Sequence, residues 1–168
     1  MNILLLGFKS CGKSSVGVRL AAASGRSFVD VDDLVEDSAC RELGARFSCR
    51  ELYSRFGAAF LRDRETEALR TLPWLEQTVI ATGGGVVLRP ENIPLLHAAG
   101  LCLFLDVPLA VLEQRLKKQA DSPLFRERGI AAVYAQRRPL YLAAAQMSFA
   151  ARGDETADAL AGALLRIL

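Results

Sequence analysis

The 168-residue sequence predicts an α/β fold of three layers, with helices on both faces of a central, mainly parallel five-stranded sheet. Three observations predict it. Short apolar runs alternate with helix-like stretches along the whole chain, with no long linker and no internal repeat. A glycine-rich turn follows the first apolar run at once and opens a helix. Hydrophobic residues are 51% of the chain and charged residues 24%, an ordinary globular balance that excludes disorder and fills one core. The chain therefore reads as one domain over 1–168.

In order, Asn2–Gly7 reads as a buried first strand and Lys13–Ala23 as a helix ending near Gly25. Ser27–Val31 is a short second strand. Leu34–Leu43 is helical, and a longer helical stretch over Ser48–Leu72 is stopped by Pro73. Thr78–Ala81 is a third strand that runs into three glycines. Pro90–Ala98 and Pro108–Lys118 are helices, each opened by proline, on either side of the fully apolar strand Leu101–Asp106. Ala120–Arg128 is polar and reads as a mobile connection. Ile130–Ala144 is a helix broken locally by Pro139, Met147–Ala150 a last short strand, and Glu155–Leu168 a closing helix. Strands separated by helices pair in parallel, and parallel sheets bind ligands at their carboxyl ends. Gly7–Ser14, Asp30–Asp33 and Gly83–Gly85 all fall at such ends, which makes them one candidate site.

Composition removes several function classes. The net charge of +2, from 21 basic and 19 acidic residues, is too even for a nucleic-acid-binding face. Cys11, Cys40, Cys49 and Cys102 show no CxxC spacing and His97 is the only histidine, so neither a zinc site nor a disulfide framework is expected. Free thiols suit a reducing cytoplasm, no leader is expected, and no apolar run approaches the ~20 residues of a membrane helix.

Gly7-Phe8-Lys9-Ser10-Cys11-Gly12-Lys13-Ser14 fits G-x-x-x-x-G-K-[ST] between an apolar strand and a helix. Glycines turn the backbone so that its N–H groups point at phosphate oxygens, and the helix presents its positive end to the same anion. Gly7, Ser10, Cys11, Gly12, Lys13, Ser14 and Ser15 are the candidate contacts for ATP. Lys13 supplies a charge to the β- and γ-phosphates and Ser14 a ligand to Mg²⁺. Cys11 reads as a small packing residue in preference to an activated thiol.

On the acceptor side, strand alternation puts Asp30 and Asp32 on one side of the second strand, where one holds Mg²⁺ through water and the other meets a substrate hydroxyl. The plainer alternative is that Asp32 or Asp33 caps the next helix. Gly83-Gly84-Gly85 allows close approach of a ligand to the backbone, or is simply a flexible turn. Arg62 and Arg137 suit a carboxylate, or are solvated surface residues.

Taken together, these elements resemble the shikimate kinase family. The resemblance rests on the phosphate loop, Asp30-x-Asp32, Gly57-x-x-x-x-Arg62-x-x-Glu65, the Gly83–Gly85 loop and Arg137-x-Pro139-Leu140-Tyr141, in the family's order and over essentially the whole chain. It implies a P-loop kinase fold and transfer of the γ-phosphoryl group of ATP to the 3-hydroxyl of shikimate, a step of chorismate and aromatic amino-acid biosynthesis. It implies Asp32 as ring-hydroxyl ligand and base, and Arg62 and Arg137 on the shikimate carboxylate. Gly84 and Gly85 would lend backbone contact, Glu65 would orient Arg62, and Arg115 would pack on adenine. Ser14 would ligate Mg²⁺ directly and Asp30 through water. The implied partners are ATP and shikimate, bound by a cytoplasmic monomer, with an acceptor-binding segment at about 32–64 and a lid at about 119–129.

Two positions depart from the family. Ser122 stands where the lid arginine is usual, and Arg126 or Arg128 is the expected substitute; Ala58 replaces an acidic residue. The alternatives are a kinase of another hydroxy acid such as gluconate, a nucleotide kinase, or a weakly catalytic nucleotide-binding regulatory module.

Overall fold

The computed structural model describes residues 1–117 and 123–168. It has five strands: β1 (Asn2–Leu6), β2 (Ser27–Asp30), β3 (Thr78–Ala81), β4 (Gly100–Asp106) and β5 (Met147–Ala150). They form one sheet in the order β2-β3-β1-β4-β5, and every pair is parallel. All residues of β1 and β3 are buried, as strands covered on both faces must be, whereas the edge strand β5 alternates between half-buried and exposed. Leu4, Leu5, Ile80 and Leu103 are wholly inaccessible; burying a side chain of this kind contributes about 1.5–3 kcal/mol.

Eight helices surround the sheet among the described residues: α1 (Lys13–Ser24), α2 (Val31–Leu43), α3 (Cys49–Thr71), α4 (Asn92–Ala99), α5 (Leu109–Lys117), α6 (Pro123–Arg128), α7 (Ile130–Ala144) and α8 (Ala157–Leu165). From β1 the chain first builds one side of the sheet with β2 and β3, then crosses to the other with β4 and β5. The carboxyl end of β1 is thus the switch point where a crevice opens. None of the described helices is long and apolar enough to cross a membrane.

Four expectations are corrected. α2 begins at Val31, directly after β2, so Asp32 stands in the first turn of a helix and strand alternation does not govern it. The stretch 48–72 is two helices meeting at Gly57, whose φ of 84° and ψ of 174° leave the helix by a conformation that costs a residue with a Cβ far more than glycine. Ser48 opens the first with a reciprocal cap: Ser48 N donates to Glu51 Oε2 (2.8 Å) and Glu51 N to Ser48 Oγ (3.3 Å). Part of the expected connection 120–128 is the helix α6, opened by proline. Finally, α7 runs through Pro139 without a break. Pro139 and Ala135, one turn back, are both exposed residues.

Asn2 is a polar residue at the start of the central strand and only 3% exposed. Its Nδ2 donates to the carbonyls of Leu75 (2.7 Å) and Ala99 (3.0 Å), and its Oδ1 accepts from Thr78 N (3.0 Å). It therefore pins β1 to the entry of β3 and the end of α4. Asn2→Ala strands a buried backbone donor and is expected to cost about 1–3 kcal/mol, read as a lower denaturant midpoint at unchanged m.

Candidate active site

A cleft of about 610 Å³ opens at the carboxyl end of the sheet. On the nucleotide side, Gly12 adopts φ 103° and its carbonyl accepts from Val16 N (2.8 Å), which starts α1. Lys13 is 9% exposed, and its Nζ donates to the carbonyls of Gly7 (2.9 Å) and Phe8 (3.0 Å), which holds the ammonium across the loop. Ser14 Oγ donates to Asp30 Oδ2 at 2.5 Å. Arg115 of α5 donates to the carbonyls of Ser10 (3.2 Å), Cys11 (3.4 Å) and Gly153 (3.0 Å), tying the loop to the segment after β5. Cys11 is wholly buried, with its sulfur against Gly7, and acts as packing. The ring of Phe8 stacks on Phe125 of α6 (centroids 5.6 Å apart) and meets the edge of Tyr134.

The acceptor side holds charge in a nearly dry setting. Asp30 ends β2 and caps α2: its Oδ1 accepts from Asp32 N (3.1 Å). The cap is therefore Asp30, in place of Asp32 or Asp33. Asp32 lines the cleft, and burial pushes its carboxyl above the usual carboxylate range; the Asp30 carboxylate adds to this and Lys13 opposes it. Arg62, on the second part of α3, forms an ion pair with Glu65 one turn on, and their side chains are 13% and 4% exposed. Burial raises the Glu65 carboxyl, and Arg62 works against that shift. Arg137 of α7 is 5% exposed; its Nη1 donates to the Gly84 carbonyl (2.9 Å), while its buried Nε has no partner among the described residues. Burial holds Arg137 below its ordinary pKa.

Tyr141, one turn along α7, donates to the same Gly84 carbonyl at 2.5 Å and stacks on Phe104 with ring centroids 5.2 Å apart. Burial keeps this phenol neutral. The glycine loop is needed for space more than for conformation. A Cβ on Gly83 would stand 2.9 Å from Asp32 Oδ1 and 3.0 Å from Glu65 Oε1, and one on Gly85 would fall inside the Arg62 guanidinium. A buried link fixes the turn that follows: Thr66 Oγ1 donates to Asn92 Oδ1 (2.8 Å) and Asn92 Nδ2 to the Val86 carbonyl (2.8 Å).

Of the residues predicted from sequence, Ser10, Cys11, Gly12, Lys13, Ser14, Ser15, Asp30, Asp32, Arg62, Gly84, Gly85, Arg115 and Arg137 all line this cleft. Gly7 does not; it stands behind the loop and lends its carbonyl to Lys13. Lys9, Cys49, Arg50 and Tyr53 also line it and were missed. Lys9 sits at a variable position of the motif, and the other three enter only because the break at Gly57 turns the first part of α3 toward α2. Ser122 lies outside the described residues, as does the start of the expected lid. From α6, Leu124 and Phe125 line the cleft, whereas Arg126 and Arg128 are exposed and do not.

The Ser14 hydroxyl and the Asp30 carboxylate, two hard oxygen donors already in contact beside Lys13, have the chemistry that a magnesium ion takes. The Arg137 Nε without a partner and the Arg62–Glu65 pair give the other end the chemistry of a carboxylate site.

Comparison with known proteins agrees with this geometry. The model of the shikimate kinase family matches residues 9–167. The shikimate kinase of Thermodesulfovibrio yellowstonii is 38% identical over 144 residues, which are 83% of this chain and 80% of that protein. The shikimate kinase of Synechococcus elongatus is 33% identical over 172 residues, covering 100% of this chain and 86% of that protein. Among solved structures, shikimate kinase from Acinetobacter baumannii in complex with shikimate superposes with a TM-score of 0.86 at 30% identity, covering 99% of this chain and 91% of that one. With its sheet order, phosphate loop and paired arginines, the chain belongs to the shikimate kinase family.

Proposed function

We propose that this chain transfers the γ-phosphoryl group of ATP to the 3-hydroxyl of shikimate, with Asp32 as general base and Arg62 and Arg137 as the clamp on the shikimate carboxylate. The observation that carries the reading is one cleft lined by a phosphate loop, the half-buried carboxylate of Asp32, the half-buried Arg62 and the buried Arg137. Shikimate is a small ring with one carboxylate and several hydroxyls, and this set matches it group for group.

The chemistry follows from positioning and electrostatics. The loop N–H groups and Lys13 receive the β- and γ-phosphates. Ser14 would hold a magnesium ion directly and Asp30 through water, and the ion would supply further neutralisation of phosphate charge. Asp32 accepts the proton of the hydroxyl as its oxygen attacks phosphorus, and its raised pKa makes it a stronger base than an exposed aspartate. Glu65 holds the Arg62 guanidinium in one orientation, and the Gly84 carbonyl does the same for Arg137. Segment 32–64 acts as the acceptor-binding part and 119–129 as the lid, with Arg115 beside the adenine. The free thiols and the sheet-and-helix core suit a cytoplasmic enzyme.

The direct test is ADP release from Mg·ATP with and without shikimate. Strong stimulation by shikimate is expected; ATP binding with no stimulation would overturn the acceptor assignment. Asp32→Asn is expected to lower kcat by about 10²–10⁴-fold. In the parent protein, kcat/KM is expected to fall as pH drops through a pKa above the ordinary aspartate value, because the carboxyl must be ionised to accept the proton. The Asn variant is expected to lack this acid limb. Arg137→Lys keeps the charge and loses the fork, so the KM for shikimate is expected to rise about tenfold or more while that for ATP changes little.

A further inference from the structure

The cations lining the cleft divide into two sets. Lys13 and Arg115 hold backbone carbonyls of the phosphate loop, Arg62 holds Glu65, and Arg137 holds the Gly84 carbonyl. Lys9 and Arg50 line the same cleft and hold no carbonyl or carboxylate by hydrogen bond or ion pair among the described residues. Lys9 projects from the phosphate loop, its backbone N lying 3.4 Å from where a Cβ on Gly84 would be. Arg50 stands in the first turn of α3, beside Cys49, whose backbone N–H donates to Glu36 Oε1 of α2 (2.9 Å). One cation thus belongs to the nucleotide half of the cleft and the other to the acceptor half.

We propose that Lys9 and Arg50 form a second phosphate clamp, which grips the phosphoryl group in transit and the phosphate of the product at the boundary between the two halves of the cleft. The proposal rests on the reading of the site as a phosphotransferase centre, and it gives these two residues the role expected from sequence of Arg126 or Arg128. Both residues line one cleft, and two like charges there repel each other until an anion lies between them. The charge of Arg50 acts on Lys9 to lower its pKa, after burial the largest cause; Lys13 acts in the same direction, and Asp32 and Cys49 oppose it. In the transfer, the bond from the γ-phosphorus to the β–γ bridging oxygen breaks and its electron pair stays with ADP. A bond from phosphorus to the acceptor oxygen forms, and the hydroxyl proton passes to Asp32. The equatorial oxygens of the phosphoryl group carry negative charge throughout, and the two cations that line the cleft are available to meet it.

The test compares the parent with Lys9→Gln, Arg50→Gln, the double variant and Lys9→Arg, in steady-state turnover of Mg·ATP with shikimate and in calorimetric binding of inorganic phosphate to the Mg·ADP complex. Each single Gln variant is expected to lower kcat about tenfold or more, with the KM for ATP within about twofold of the parent. Phosphate binding is expected to weaken, and Lys9→Arg to recover most of the lost kcat. A double variant with the parent's kcat overturns the clamp while leaving the shikimate reading intact. If the parent does not turn over shikimate, that reading fails, and phosphate binding decides: loss in both Gln variants supports the clamp, and unchanged binding overturns it.

Discussion

The close packing of the glycine loop against the helix bearing Arg62 and Glu65 is the constraint on which the acceptor end depends. Asp32, Glu65 and Arg62 occupy the volume that side chains at positions 83 and 85 would need. The loop can therefore lie flat against the ion pair, and its Gly84 carbonyl is left free to accept from both Arg137 and Tyr141. One backbone oxygen thereby connects α7 to the end of β3, and it aims the guanidinium of Arg137. A larger residue at 83 or 85 would displace the charged groups themselves.

Burial sets the electrostatic character of the cleft. It raises the carboxyls of Asp32 and Glu65 and lowers Arg137, the same desolvation acting with opposite sign on acids and bases. Buried charges survive only with compensation, and leaving one partner uncompensated costs about 3–5 kcal/mol. Glu65 pairs directly with Arg62 and also acts on Arg137, whose own hydrogen bond among the described residues goes to a dipole, the Gly84 carbonyl. An anionic ligand at this end would complete that balance.

The nucleotide end is built differently. There the cations serve the loop itself: Lys13 bridges two of its carbonyls and Arg115 braces two more from behind. Phe8, in the middle of the loop, is buried between Phe125 and Tyr134, so α6 and α7 are seated on the phosphate loop by aromatic contact. The two ends meet at β1, the switch point of a sheet whose strands all run the same way, and this common direction brings three separate loops to one place.

Much of this was legible in the residues. Apolar runs such as Ile3–Leu6 and Leu101–Leu105, separated by helix-like stretches, determine a buried parallel sheet, because no other arrangement covers both faces of such strands. The spacing Gly7–Ser14 marks a phosphate loop, because its glycines let the backbone donors turn inward while the lysine adds charge and the serine a hydroxyl. The pairing of Arg62 with Glu65 follows from their one-turn separation on a helix. The tertiary structure alone decided that Asp32 belongs to a helix, that Asp30 is its cap, and that Arg115 braces the loop backbone. It also decided that Lys9 and Arg50 line one cleft, and that Gly83 and Gly85 are glycines for want of room. Local patterns record what a residue does to its own backbone and near neighbours; which distant side chain fills the volume beside it is set only when the elements pack.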